Sequence, residues 1–154
     1  MKILLVSSTG GHFNALQQLR SFWSQHECIW VTFDTESTRI ALQNQSVYWA
    51  FSPTNRHLLN LMRNFLLAWQ VIKFERPQLI LSTGAGVAVP FIILGKLFRC
   101  KTVFIESYTR IKELSLSARL VLPFLDKLYV QWPSLKTKYP QAEFLSDFCR
   151  KVTH

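Results

Sequence analysis

Six short β-type runs alternate with helical stretches along this chain, and that alternation restricts the fold more than any other feature of the sequence. The strand candidates lie at 2–7, 28–33, 47–51, 78–82, 102–106 and 127–131, and helical spacing occupies 13–24, 36–44, 56–74, 88–98 and 114–124. The strand runs are nearly continuous in apolar residues, so both faces of each strand must be covered. A parallel sheet with helices on both sides meets that demand, and a single doubly wound, Rossmann-like α/β domain is expected. A length of 154 residues suits one such domain and not two. Residues 1–140 are read as the domain and 141–154 as a C-terminal tail, because periodicity fades after Tyr139.

In the common strand order 3-2-1-4-5-6, the first and fourth strands are neighbours and ligands bind beyond their carboxyl ends. The first strand leads into Ser7-Ser8-Thr9-Gly10-Gly11-His12, and the fourth ends in Ser82-Thr83-Gly84-Ala85-Gly86, with Pro90 in the first turn of the helix that follows. Adjacent glycines let backbone amides approach an anionic group at a helix N-terminus. They serve a tight strand-to-helix turn equally well. The fifth strand ends beside them at Glu106-Ser107-Tyr108-Thr109-Arg110, so three signals converge on one crevice. Asp34 ends the second strand where an acid could meet a ribose, but neither glycine turn has G-x-G-x-x-G spacing, and no G-x-x-x-x-G-K-[ST] run occurs. Nicotinamide binding and ATP or GTP hydrolysis are therefore set aside.

Hydrophobic residues make up 49% of the chain and aromatics 14%, apolar enough that some of the surface is expected to meet a partner or a membrane. Eighteen Lys and Arg against nine Asp and Glu give +9, a charge that favours nucleic acid, phosphorylated ligands or anionic lipid. No nucleic-acid motif appears, and nucleic acid is not taken as a partner. Cys28, Cys100 and Cys149 are odd in number and form no CxxC pair, which argues for a reducing cytosol and against a thiolate metal site. His26, His57 and His154 have no metal-ligand spacing, and no metal site is read. There is no signal-peptide core and no apolar run long enough to span a bilayer. The segment 56–74 carries Arg56, Asn60, Arg63 and Gln70 as a narrow polar stripe, with Lys73 near its end and Phe65 and Trp69 within a broad apolar face. It reads as an interfacial helix on a membrane surface, or as a helix packed on both the sheet and a partner.

Taken with Ile105-Glu106-Ser107 and Arg110, Ser115-Leu116-Ser117, Val130-Gln131-Trp132-Pro133 and Lys138-Tyr139-Pro140, the two glycine turns resemble a known family over roughly residues 2–140. It is the acceptor-side subunit of two-subunit GT-B-type glycosyltransferases, equivalent to the N-terminal half of a GT-B enzyme. That family includes the membrane-recruiting subunit of the N-acetylglucosaminyltransferase of N-glycan assembly and bacterial exopolysaccharide subunits, some described as glucuronosyltransferases. The Gly-Gly-His turn is also similar to that of the peptidoglycan N-acetylglucosaminyltransferase.

The resemblance implies a hexosyltransferase subunit that needs a separate donor-binding subunit. That partner would hold the UDP-sugar, with N-acetylglucosamine or glucuronic acid as the sugar, and this chain would bind no cofactor. A divalent metal held by the donor's diphosphate would leave no trace here. The implied acceptor is a polyprenyl-diphosphate-linked sugar, its diphosphate against Thr9, Gly10, Gly11, Ser82, Thr83, Gly84, Gly86 and Arg110, with basic residues near the crevice assisting. In eukaryotic members a hydrophobic anchor precedes the first strand. This chain opens at that strand, so peripheral attachment on the cytoplasmic side of the membrane is expected through Arg56, Arg63, Phe65, Trp69 and Lys73.

Inverting transfer needs a base for the acceptor hydroxyl, and His12 or Glu106 could serve. A free imidazole titrates at about pH 6.5, which suits the task. His12 could instead cap a helix or grip the diphosphate, and Glu106 could make a structural hydrogen bond or pair with Arg110; neither is expected to hold the core. Trp132-Pro133 and Tyr139-Pro140 are read as a partner surface or a local turn. The alternative function is a noncatalytic membrane scaffold that recruits a complete glycosyltransferase.

Overall fold

The apolar runs form one sheet whose two faces are both buried. In the computed structural model, which describes residues 1–54 and 56–153, the strands are β1 Lys2–Ser7, β2 Glu27–Phe33, β3 Ser46–Ala50, β4 Leu79–Gly84, β5 Lys101–Ile105, β6 Lys127–Val130 and β7 Glu143–Phe144. His154 lies outside the described residues. The order is β3-β2-β1-β4-β5-β6-β7, and each neighbouring pair is parallel. The expected order therefore holds and is extended by one strand.

The helices are α1 Gly11–Gln18, α2 Arg20–Trp23, α3 Glu36–Ala41, α4 Leu58–Glu75, α5 Ala88–Leu97, α6 Leu116–Val121, α7 Pro133–Lys138 and α8 Leu145–Thr153. Strand side chains alternate between two cores. Leu4, Val6, Val31 and Ile80 share one with Ala68 and Ile72 of α4, Phe91 and Ile92 of α5, and Ala118 of α6. Ile3, Leu5, Trp30 and Leu81 share the other with Phe13, Leu16 and Trp23 of α1 and α2. Helix α5 lies so close to β4 that a side chain at Gly95 would collide with Ile80.

Several boundaries differ from the sequence reading, three helical ones for visible reasons. The helix expected over 13–24 breaks at Leu19 into α1 and α2. The one expected over 114–124 narrows to α6 followed by a 3₁₀ turn at Leu122–Phe124, where Pro123 has no N–H for a helical bond. The one expected from 56 begins at Leu58: Arg56 adopts φ 53°, and His57 Nδ1 accepts the Asn60 N–H at 3.1 Å as the N-cap. Residues in the segment read as a tail also join the fold. β7 pairs with β6, and Leu145 and Phe148 of α8 pack on the second core, with the Phe148 ring 5.1 Å from that of Tyr129. A two-residue strand is too short to show a period.

Candidate active site

Because β1 and β4 are neighbours, their glycine turns meet at the carboxyl edge of the sheet. Ser7 is opposite Gly84, and the Ser8 N–H donates to the Gly84 carbonyl at 2.9 Å. Gly10 at φ 76°, ψ −132° and Gly84 at φ 110° occupy backbone regions closed to other residues. Gly10 is the N-cap of α1, and no side chain caps that helix. The amides of its first turn thus remain available at the sheet edge. Gly11 needs no special backbone, and a Cβ there would meet open space. A Cβ on Gly86 would come within 3.2 Å of Thr54 Oγ1, so that glycine permits close approach of the β3–α4 connection.

His12 is sewn to the end of β4 by two reciprocal bonds. Its Nδ1 lies 2.8 Å from the Thr83 carbonyl oxygen, and Thr83 Oγ1 donates to the His12 carbonyl at 2.5 Å. A carbonyl only accepts, so Nδ1 carries the proton and the neutral ring keeps its lone pair on Nε2. A Cβ on Gly84 would sit 3.0 Å from His12 Nδ1, so Gly84 also makes room for the ring. The result is an oriented imidazole with a basic nitrogen, in the side wall of a groove of about 820 Å³.

Glu106 lines the same groove but is only 2% exposed, and its carboxylate is fully engaged. Oε1 accepts the Ser107 N–H at 2.9 Å; Oε2 accepts the Ser115 N–H at 2.8 Å and the Ser115 hydroxyl at 3.0 Å. Ser115 in turn caps α6 by accepting the Ala118 N–H at 3.2 Å. The carboxylate therefore anchors both ends of the loop between β5 and α6. Of the two structural roles open to Glu106, the hydrogen-bonded one is present, and among the described residues no ion pair joins it to Arg110. Gln131 Nε2 donates to the Glu106 carbonyl at 3.2 Å and Trp132 Nε1 to the Tyr108 carbonyl at 2.6 Å. The Gln131-Trp132 pair thereby braces the same loop, a role that sequence reading did not assign to it.

Of the expected binding residues, Gly11 and Thr83 line the groove, whereas Gly10 and Gly84 shape its edge through their backbones. Ser82 is buried, and its hydroxyl accepts the Gly84 N–H at 3.0 Å, so it supports the turn from beneath. Thr9 lies on the turn before Gly10, half-buried. Arg110 is exposed on the outer loop and is not among the lining residues, which include neither Lys nor Arg. The expected basic assistance at the crevice is thus absent from the groove itself. The lining is largely apolar, and the polar side chains that join His12 and Glu106 in it are the neutral ones of Asn14, Gln18, Ser107, Thr109 and Gln131. Among the described residues no cluster of His, Cys, Asp or Glu could hold a metal ion.

Helix α4 splits the expected polar stripe, with Arg63 and Gln70 exposed and Asn60 turned inward. Asn60 and Asn64 are buried: Asn64 accepts the Phe51 N–H at 2.9 Å and donates to the Phe51 carbonyl at 3.0 Å, while Asn60 Nδ2 donates to the Pro53 carbonyl at 2.9 Å. The irregular backbone after β3 needs those partners, and only inward-facing amides can supply them. The outward face is apolar, with Leu58, Met62, Leu66 and Trp69 all at least 44% exposed and Phe74 at 79%. Arg63 and Lys73 flank it, with Lys73 Nζ 4.8 Å from the Trp69 ring centre; Phe65 is half-buried, and Arg56 is exposed just ahead of the helix. Among the described residues no helix is long and apolar enough to cross a membrane.

Comparison with known proteins gives a family and a fold. The family model described as "Oligosaccharide biosynthesis protein Alg14 like" matches residues 44–148. The UDP-N-acetylglucosamine transferase subunit alg14 of Schizosaccharomyces pombe is 43% identical over 77 residues, which cover 47% of this chain and 37% of that protein. The Homo sapiens subunit ALG14 is 34% identical over 90 residues, covering 54% of this chain and 42% of its own length. The matched segments thus span about two-fifths of these relatives. Among solved structures, Acinetobacter baumannii MurG superposes with a TM-score of 0.68 at 17% identity, covering 86% of this chain and 41% of MurG. The lipopolysaccharide outer core galactosyltransferase WaaB gives 0.62 at 12% identity, covering 90% and 41%. At such identities these two speak for the fold alone.

Proposed function

Because the chain belongs to the Alg14-like family of oligosaccharide biosynthesis proteins, we propose that it is the acceptor-binding, membrane-associating subunit of a two-component glycosyltransferase. The complex would transfer a sugar from a UDP-sugar to a polyprenyl-diphosphate-linked sugar. The names of the relatives favour N-acetylglucosamine over glucuronic acid as the donor sugar. The observation that carries the catalytic part is His12, whose Nδ1–H is committed to Thr83 and whose Nε2 is left as a base in the groove.

In this reading Nε2 takes the proton of the acceptor hydroxyl as its oxygen attacks the anomeric carbon of the donor. The bond from that carbon to the UDP oxygen breaks, UDP leaves with the electron pair, and the configuration inverts. The acceptor diphosphate rests on the uncapped amides of α1 and the backbone of the Gly84 turn, where aligned N–H groups stabilise an anion without a cationic side chain. Glu106 acts as a positioning residue through the loop that it anchors. The apolar face of α4, flanked by Arg63 and Lys73, would hold the subunit on the cytoplasmic side of the membrane near the lipid acceptor.

The test is reconstitution. The purified chain alone should transfer no sugar from UDP-N-acetylglucosamine to a polyprenyl-diphosphate acceptor, and addition of a donor-binding subunit should restore transfer. Robust turnover by the isolated chain would overturn the half-enzyme reading. Full activity from the donor-binding subunit alone would favour a noncatalytic scaffold, in which His12 has no chemical task.

A further inference from the structure

We propose that the ring of Tyr108, propped by Trp132, is the platform on which a neutral sugar ring of the acceptor stacks. The proposal rests on the acceptor-binding reading and adds a saccharide subsite to it. In a chain of charge +9, the groove has no Lys or Arg in its lining, and its carboxylate, Glu106, is turned to backbone and Ser115. The diphosphate has the backbone amides at the start of α1, and the ligand portion that lies beyond them, against the β5–α6 loop, meets no cationic side chain and is therefore read as uncharged. What remains are the amides and hydroxyls of Asn14, Gln18, Ser107 and Thr109 beside one large exposed aromatic ring. A sugar has the matching character, with hydroxyls around its edge and an apolar C–H face that covers an aromatic ring.

Tyr108 is 64% exposed although it lines the groove, so its ring is not used by the core. It is nonetheless held in place. Its carbonyl accepts the Trp132 indole N–H at 2.6 Å, and the two rings lie 5.0 Å apart at 45°. On either side in sequence, the Ser107 and Thr109 hydroxyls are 2.9 Å from each other, and the root of the loop is pinned by Glu106. A ring ordered before the ligand arrives loses little freedom on binding. His12 belongs to the α1 wall of the same groove, so a sugar on Tyr108 would offer its hydroxyl edge towards the base.

The experiment compares two soluble probes on the full chain by titration calorimetry: farnesyl diphosphate, and farnesyl diphosphate carrying an N-acetylglucosaminyl group. The wild-type protein should bind the glycosylated probe more tightly. Tyr108→Ala should weaken that probe about three- to tenfold and leave farnesyl diphosphate unchanged, and Tyr108→Phe should bind like the wild type. Equal affinity of the wild type for both probes, or a Tyr108→Ala effect equal on both or on neither, would overturn the platform while leaving the acceptor reading intact. Failure of the wild type to bind either probe would overturn both. Loss of donor-subunit binding by Tyr108→Ala, with sugar binding preserved, would assign the ring to the subunit interface and reject the platform.

Discussion

The imidazole of His12 gives one nitrogen to Thr83 and leaves the other to the groove, whereas both carboxylate oxygens of Glu106 are spent on the loop beside it. Their substitutions should separate accordingly. His12→Ala in the reconstituted complex should lower kcat about 10²- to 10⁴-fold with little change in acceptor KM. A raised KM with kcat kept would instead make His12 a diphosphate ligand. Glu106→Gln places an NH₂ donor among three donors, and an unmatched buried polar group costs about 1–3 kcal/mol. Its thermal midpoint should fall by roughly 2–12 °C, read by calorimetry on the isolated chain. An unchanged midpoint with collapsed turnover would return Glu106 to the chemistry. Both residues were legible as candidates from their places after strands, but their separate tasks depend on Thr83 and Ser115, 71 and 9 residues away.

At the scale of the element, α4 buries its asparagines and exposes its leucines. An outward apolar face contributes nothing to the isolated core, so changing it should spare the fold, since such surface substitutions usually stay within about 0.5 kcal/mol. Met62→Gln, Leu66→Gln and Trp69→Gln together should abolish flotation with anionic vesicles and leave the thermal midpoint unchanged. Arg63→Gln and Lys73→Gln should each weaken flotation roughly fivefold at low salt, from about 1 kcal/mol per cation near an anionic surface. A lowered midpoint with flotation intact would give the helix to the core. Amphipathicity was evident in the sequence. Which side faced out was not, because the backbone of Phe51 and Pro53 claims Asn64 and Asn60.

Across the whole molecule, the edge strand β3, the end of α4 and the start of β1 are joined by Tyr48, Glu75 and Lys2. The Tyr48 hydroxyl donates to Glu75 at 2.7 Å, and Lys2 Nζ lies 2.9 Å from the same carboxylate. Burial, and then the bond and charge of Glu75, push the Tyr48 hydroxyl up from 10 to about 12. A raised folded pKa means that this stabilisation is complete below pH 10 and is lost as pH rises towards about 12. Stability measured by denaturant titration should therefore fall across that window, and Tyr48→Phe should make the slope shallower. Part of it should remain, because the hydrogen bond to Glu75 also raises Lys2 and burial raises Tyr129. An identical slope in wild type and Tyr48→Phe would show that the tie does not couple these elements.

The sequence by itself determined the parallel α/β sheet, the order of its first six strands and the crevice at their carboxyl ends. Strand burial on both faces, positive-φ glycines and the right-handed crossover are local or nearly local requirements that one chain segment displays without its partners. Only the tertiary structure decided that residues of the apparent tail form β7 and α8, that the basic charge avoids the groove, that Glu106 is structural and that α4 turns its apolar face outward. Each of these depends on which backbone N–H or C=O, often many residues distant, must be satisfied on burial. A side chain's hydrogen-bond partner is a property of packing, and no spacing in the sequence encodes it.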